Sequence, residues 1–76
     1  MNARQDAGAL PEFGLRLREH RELKGLTQRE LATRAATTQR RISRLECGRA
    51  LPSLPVFARL ARALDASADS LLGCWL

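Results

Sequence analysis

Four hydroxyl residues, Thr27, Thr38, Ser53 and Ser67, each stand just ahead of a short stretch whose apolar residues recur at helical spacing. A hydroxyl in that place accepts from the free N–H groups of a first helical turn and so starts a helix. Thr27-Gln28-Arg29-Glu30 is a full capping box, in which the Glu30 side chain reaches back to the Thr27 N–H. Stretches this short, separated by glycine and by turn residues, cannot form long helices, and no alternation of strand period appears. The pattern predicts five short helices around one core, an all-α fold.

The first helix is expected from Glu12 to Lys24, after a permissive Pro11, with Phe13 and Leu17 inward and Gly25 as its stop. Met1 to Pro11 shows no period, and residues 1–11 read as a flexible tail. The second helix follows Thr27 with Leu31, Ala32 and Ala35 inward, and the third runs from Gln39 to Cys47 on Ile42 and Leu45. Ser53 caps a fourth, with the stripe Leu54, Phe57, Leu60, Ala61 and Leu64 and with Pro55 in its first turn. Ser67 caps a fifth, bearing Leu71 and Leu72, which leads to an apolar tail at 74–76. The domain proper is thus expected over 12–73.

At 76 residues the chain is one domain, with a core that leaves only marginal stability unless a partner adds to it. Two distant cysteines and one histidine suit neither a disulfide framework nor a zinc site, so no metal and no cofactor is expected. Apolar runs fall far short of a membrane span or a signal peptide, so the expected compartment is the cytoplasm. No nucleophile, base and acid stand in any recognisable arrangement, so no catalytic residue and no enzyme is expected.

The net charge of +5 points to a polyanion, and its distribution sharpens the point. Between Gln28 and Arg49 there are six arginines and two glutamates, which places +4 of the +5 in one segment. Two short helices joined by a tight turn, the second carrying Gln39, Arg40 and Arg44 opposite Ile42 and Leu45, form a helix-turn-helix candidate. Glutamine can bond an adenine edge in two places and arginine a guanine edge, so these three are the candidate base readers.

Arg16-Leu17-Arg18 with Arg21, Gly25-Leu26-Thr27-Gln28, Glu30-Leu31-Ala32, Ile42-Ser43-Arg44-Leu45-Glu46, Gly48-Arg49, Pro52-Ser53-Leu54 and Leu60-Ala61-Arg62-Ala63-Leu64 together resemble the Xre/Cro family of phage-repressor-type DNA-binding proteins. The resemblance covers roughly Phe13 to Gly73 and implies a lambda-repressor-like domain. It implies base reading by Gln39, Arg40 and Arg44, and phosphate contacts from Gln28, Thr38, Arg41, Ser43 and Arg49. Gln28 would also brace Gln39, the first recognition residue. Arg21 and Glu46 match a family ion pair, and a carboxylate among apolar neighbours needs such a partner. The sequence departs from the family at Ala36, where glycine is usual, and at His20, Thr37 and Cys47.

The expected function is sequence-specific double-stranded DNA binding by a small dimeric repressor that reads a near-palindromic operator at the bacterial or phage nucleoid. The dimer surface is expected at Leu71, Leu72, Trp75 and Leu76, and Leu15 and Leu23 could join it. Arg59 and Arg62 read as solvent-exposed, and His20 as half-buried packing. Two alternatives stay open: an antitoxin or other module that uses the fold to bind a protein partner, and a small operon controller of restriction–modification type.

Overall fold

A computed structural model describes the backbone of residues 2–72 and the side chains of residues 12–72. It contains five helices: α1 (Asn2–Leu23), α2 (Gln28–Arg34), α3 (Gln39–Glu46), α4 (Leu54–Leu64) and α5 (Ala68–Leu72). No strand occurs among the described residues.

The helix starts follow the capping chemistry. The Thr27 hydroxyl accepts from the Glu30 N–H at 3.0 Å, and the Glu30 carboxylate accepts from the Thr27 N–H at 2.8 Å. Thr38 caps Arg41 at 3.1 Å, Ser53 caps Val56 at 3.4 Å and Ser67 caps Ser70 at 3.0 Å. Helix ends are equally uniform. Gly25, Ala36, Gly48 and Asp65 all turn left-handed, with φ of 71°, 55°, 76° and 53°. In each case the residue that follows donates its N–H back into the last turn, as Thr37 does to the Ala32 carbonyl at 2.9 Å. At Ala36 this geometry costs of order 1 kcal/mol, because Cβ crowds the carbonyl.

One core holds the helices together. Phe13 and Leu17 of α1, Leu31 and Ala32 of α2, Ile42 and Leu45 of α3, Val56, Leu60 and Leu64 of α4 and Leu71 of α5 are all buried. Ala35 and Leu26, at the helix junctions, complete it. Phe13 and Phe57 meet with ring centroids 6.1 Å apart.

The structure departs from the sequence reading at three places. α1 begins at Asn2, so residues 2–11, read as a tail, are helical. Ala3, Arg4, Gln5, Ala7 and Ala9 are strong helix formers, and the helix forms across Pro11 against the cost of a lost donor and a crowded carbonyl one turn earlier. In α4 the buried stripe is Val56, Leu60 and Leu64, while Leu54 is 78 % exposed. Leu54 lies two positions from Val56, or about 200° around the helix, on the far side. Leu71, expected at a dimer surface, is fully buried in this chain's own core and cannot serve there. Leu72 is half-buried against the same core. Trp75, Leu76 and the rest of the expected 74–76 tail lie outside the described residues.

One contact sets the spacing of α1 against α3. Gly14 is buried, and a Cβ placed on it would lie 2.5 Å from the backbone carbonyl oxygens of Leu45 and Glu46. α1 therefore runs flush against the last turn of α3, which brings Arg21 within reach of Glu46.

Candidate nucleic-acid interface

α3 is divided cleanly by its own periodicity. Ile42 and Leu45 are completely buried, while Gln39, Arg40, Arg41 and Arg44 are exposed. Thr38 is also exposed and its hydroxyl is taken up by the Arg41 N–H, so it fixes the start of the helix. Ser43 is half-buried. Arg49 is exposed in the loop beyond Gly48, and its carbonyl lies 3.5 Å from an Arg44 Nη, a long contact that leaves Arg44 largely free. Thr38, Arg40, Arg41 and Arg44 border an open concavity of about 340 Å³, closed on its other side by Ala50 and Leu51. Arg40, Arg41 and Arg44 thus border one open, strongly basic surface, and Gln39 is exposed on the same helix. None of their guanidinium groups is tied to a carboxylate: the ion pairs among the described residues are Arg18–Glu22 and Arg21–Glu46.

Beneath that surface lies a polar clamp. Arg21 Nε donates to Glu46 Oε2 at 2.6 Å and Arg21 Nη2 donates to Glu46 Oε1 at 3.2 Å. Arg21 Nη1 donates to the Leu26 carbonyl at 2.8 Å. The two side chains are 12 % and 5 % exposed, which makes this a partly buried, bidentate pair rather than a surface one. Its hydrogen bonds with Glu46 raise the Arg21 guanidinium above its ordinary value, so Arg21 remains charged. The expected pair is present, and its geometry joins α1, the α1–α2 turn and the end of α3.

Gln28 is braced by a partner other than the Gln39 that the resemblance implies. Its Nε2 donates to Glu46 Oε1 at 3.0 Å, so it is bound to the clamp rather than to Gln39. Glu46 accepts three donors, a demand that a single anionic carboxylate among buried neighbours meets well. Arg59, read as solvent-exposed, is half-buried, and its Nε donates to the Ala35 carbonyl at 2.8 Å. It covers a C-terminal carbonyl of α2 beside the left-handed Ala36. Arg62 is exposed as expected, and His20 is half-buried. Cys47 is an exposed free thiol at the end of α3.

Leu51, Gly14 and the Gln28 bond to Glu46 escaped sequence reasoning. Each depends on how distant helices approach, and only the placing of a glycine at position 14 of an otherwise large-residue helix face hints at a close crossing.

Two short helices, a left-handed turn and an outward basic second helix held by a partly buried clamp define a helix-turn-helix unit. The family pattern described as a helix-turn-helix domain matches residues 12–72, and the chain belongs to that family. It is 54 % identical over 48 residues to an uncharacterized HTH-type transcriptional regulator of Methanothermobacter thermautotrophicus, covering 63 % of this chain and 70 % of that protein. The restriction-modification controller protein C.AhdI of Aeromonas hydrophila has the same architecture, with a TM-score of 0.82 and 37 % identity over 86 % of this chain and 94 % of that one. The clp gene regulator ClgR of Corynebacterium glutamicum is similar as well, with a TM-score of 0.80 and 36 % identity over 84 % of this chain and 82 % of that one. Among the described residues no helix is long and apolar enough to cross a membrane.

Proposed function

We propose that this chain is a DNA-binding transcription regulator that reads double-stranded DNA through α3. The observation that carries this reading is the exposure of Gln39, Arg40, Arg41 and Arg44 on a helix whose Ile42 and Leu45 are locked into the core. Gln39, Arg40 and Arg44 meet base edges in the major groove, where bidentate bonding to guanine and adenine discriminates sequence. Arg41, Ser43, Thr38 and Arg49 lie against the sugar–phosphate backbone and set register. Gln28 contributes to that backbone contact with the N–H that Glu46 does not use. The chain acts by binding and carries out no reaction.

The same reading includes a homodimer that represses from a near-palindromic operator, with the two copies of α3 in successive major grooves about 34 Å apart. Leu72, together with Trp75 and Leu76, supplies the apolar contact between copies. A narrower version, a small operon controller, is supported by the likeness to C.AhdI, which extends over 94 % of that protein's length.

A gel-shift titration at several salt concentrations tests the reading. Binding should fall steeply with salt, and Arg49→Ala should weaken every duplex alike and flatten that slope by about one unit. Loss of discrimination between sequences on Arg49→Ala, with an unchanged slope, would move Arg49 from the backbone to the bases.

A further inference from the structure

Arg34 at the end of α2 and Arg59 and Arg62 on α4 border a second concavity, of about 220 Å³, whose remaining wall is Ala63. It shares no residue with the concavity on α3. Three arginines line it, and no acidic residue does among the described residues. Two carboxylates stand nearby without lining it: Glu30, one turn before Arg34, holds the Thr27 N–H while feeling the Arg34 charge, and Asp65 shares the neighbouring depression with Arg62. Among the described residues neither Arg34 nor Arg62 forms an ion pair, and Arg59 commits only its Nε, to the Ala35 carbonyl. That bond fixes the Arg59 guanidinium in place and leaves both of its Nη groups without a hydrogen bond among the described residues.

Three like charges around a small hollow repel one another, and the repulsion is relieved when an anion with several oxygens sits between them. A planar guanidinium donates two parallel bonds to such an anion, and phosphate matches three of them at once. We propose that the Arg34–Arg59–Arg62 concavity binds a phosphate group carried by a small molecule, at a site separate from the DNA-reading face. The pre-set Arg59 provides the rigid wall, while Arg34 and Arg62, both exposed, close from either side.

The test titrates sodium pyrophosphate into the full chain at constant ionic strength, balanced with chloride, and follows arginine Nε–H and backbone amide resonances. A saturable shift centred on Arg59 and Ala63 is expected. Arg34→Ala/Arg62→Ala, which removes two exposed side chains and keeps the Arg59 bond, should weaken that binding at least about tenfold, while Arg40→Ala/Arg44→Ala leaves it within about twofold. Affinity of Arg34→Ala/Arg62→Ala for duplex DNA should stay within about twofold of the parent. Three results would overturn the proposal: shifts that rise linearly without saturating, binding unaffected by Arg34→Ala/Arg62→Ala, or a large loss of duplex affinity in that variant. The last would assign the cluster to the DNA interface instead.

Discussion

Arg59 Nε donates to the Ala35 carbonyl at 2.8 Å, a bond that carries α4 across to the end of α2, where Ala36 adopts a φ of 55°. A glycine would hold this turn without strain, and an alanine holds it because the surrounding contacts leave no alternative. Arg59 is one of those contacts. Arg59→Ala should lower stability by about 1–2 kcal/mol, since a charge-assisted bond to a helix-end carbonyl is lost. Thermal unfolding reads this as a fall of roughly 4–8 °C per kcal/mol. A midpoint equal to that of the parent would show that solvent replaces the bond at no cost.

The Arg21–Glu46 clamp should behave as a unit. Glu46→Ala leaves the Arg21 guanidinium and the Gln28 amide without their acceptor in a nearly buried place, and is expected to cost about 3–5 kcal/mol. Arg21→Ala strands the carboxylate in the same way. The double variant should therefore cost clearly less than the two single costs added together, by about 1 kcal/mol or more. Urea unfolding of all four proteins measures this, and strict additivity would mean that the pair does not couple.

Gly14→Ala tests the close crossing of α1 and α3. The new methyl group would meet two backbone carbonyl oxygens at 2.5 Å, and backbone cannot rotate away as a side chain can. The expected loss is about 3 kcal/mol, at the upper end of overpacking costs. Because the clamp depends on the same crossing, the chemical shift of the Arg21 Nε–H should move as well. An unchanged shift and midpoint would show that the helices are not pressed together at Gly14.

Glu30 should make stability depend on pH in the acidic range. The Thr27 backbone N–H, followed by the Thr27 hydroxyl, lowers its carboxyl below the ordinary value. A carboxylate whose folded value lies below its unfolded one stabilises the fold at pH above the unfolded value, and this contribution disappears as pH falls through the folded value. Glu30→Gln should flatten that part of the curve of stability against pH. Curves that run parallel through the acidic range would show that the capping box contributes nothing through its charge.

Local chemistry made much of this architecture legible. Thr27, Thr38, Ser53 and Ser67 cap helices through atoms no more than three residues away, so their roles are visible without a fold. The outward set on α3 was equally plain, because Ile42 and Leu45 define the inward side by their spacing. The features that escaped are tertiary. Leu54 and Val56 differ little in hydropathy, and only the direction in which α4 packs decides that Val56 is buried. Leu71 looks like a surface leucine on a five-residue helix until α5 is placed against the core. Arg59 and Gln28 find their acceptors 24 and 18 residues away, beyond any periodicity. Pro11 suggested a boundary because it usually marks one, yet α1 runs through it.

Gln39, Arg40 and Arg44 of α3 are the residues proposed to read DNA sequence. Repeated selection of bound duplexes from a random pool tests that role most directly. The parent chain should enrich a defined half-site, appearing as an inverted repeat if the protein binds as a dimer. Arg40→Ala and Arg44→Ala should each relax the preference at one base position, at a cost of about 1–3 kcal/mol for the selected site. A pool that remains random after selection by the parent chain, although the chain still binds DNA at low salt, would contradict sequence reading by α3.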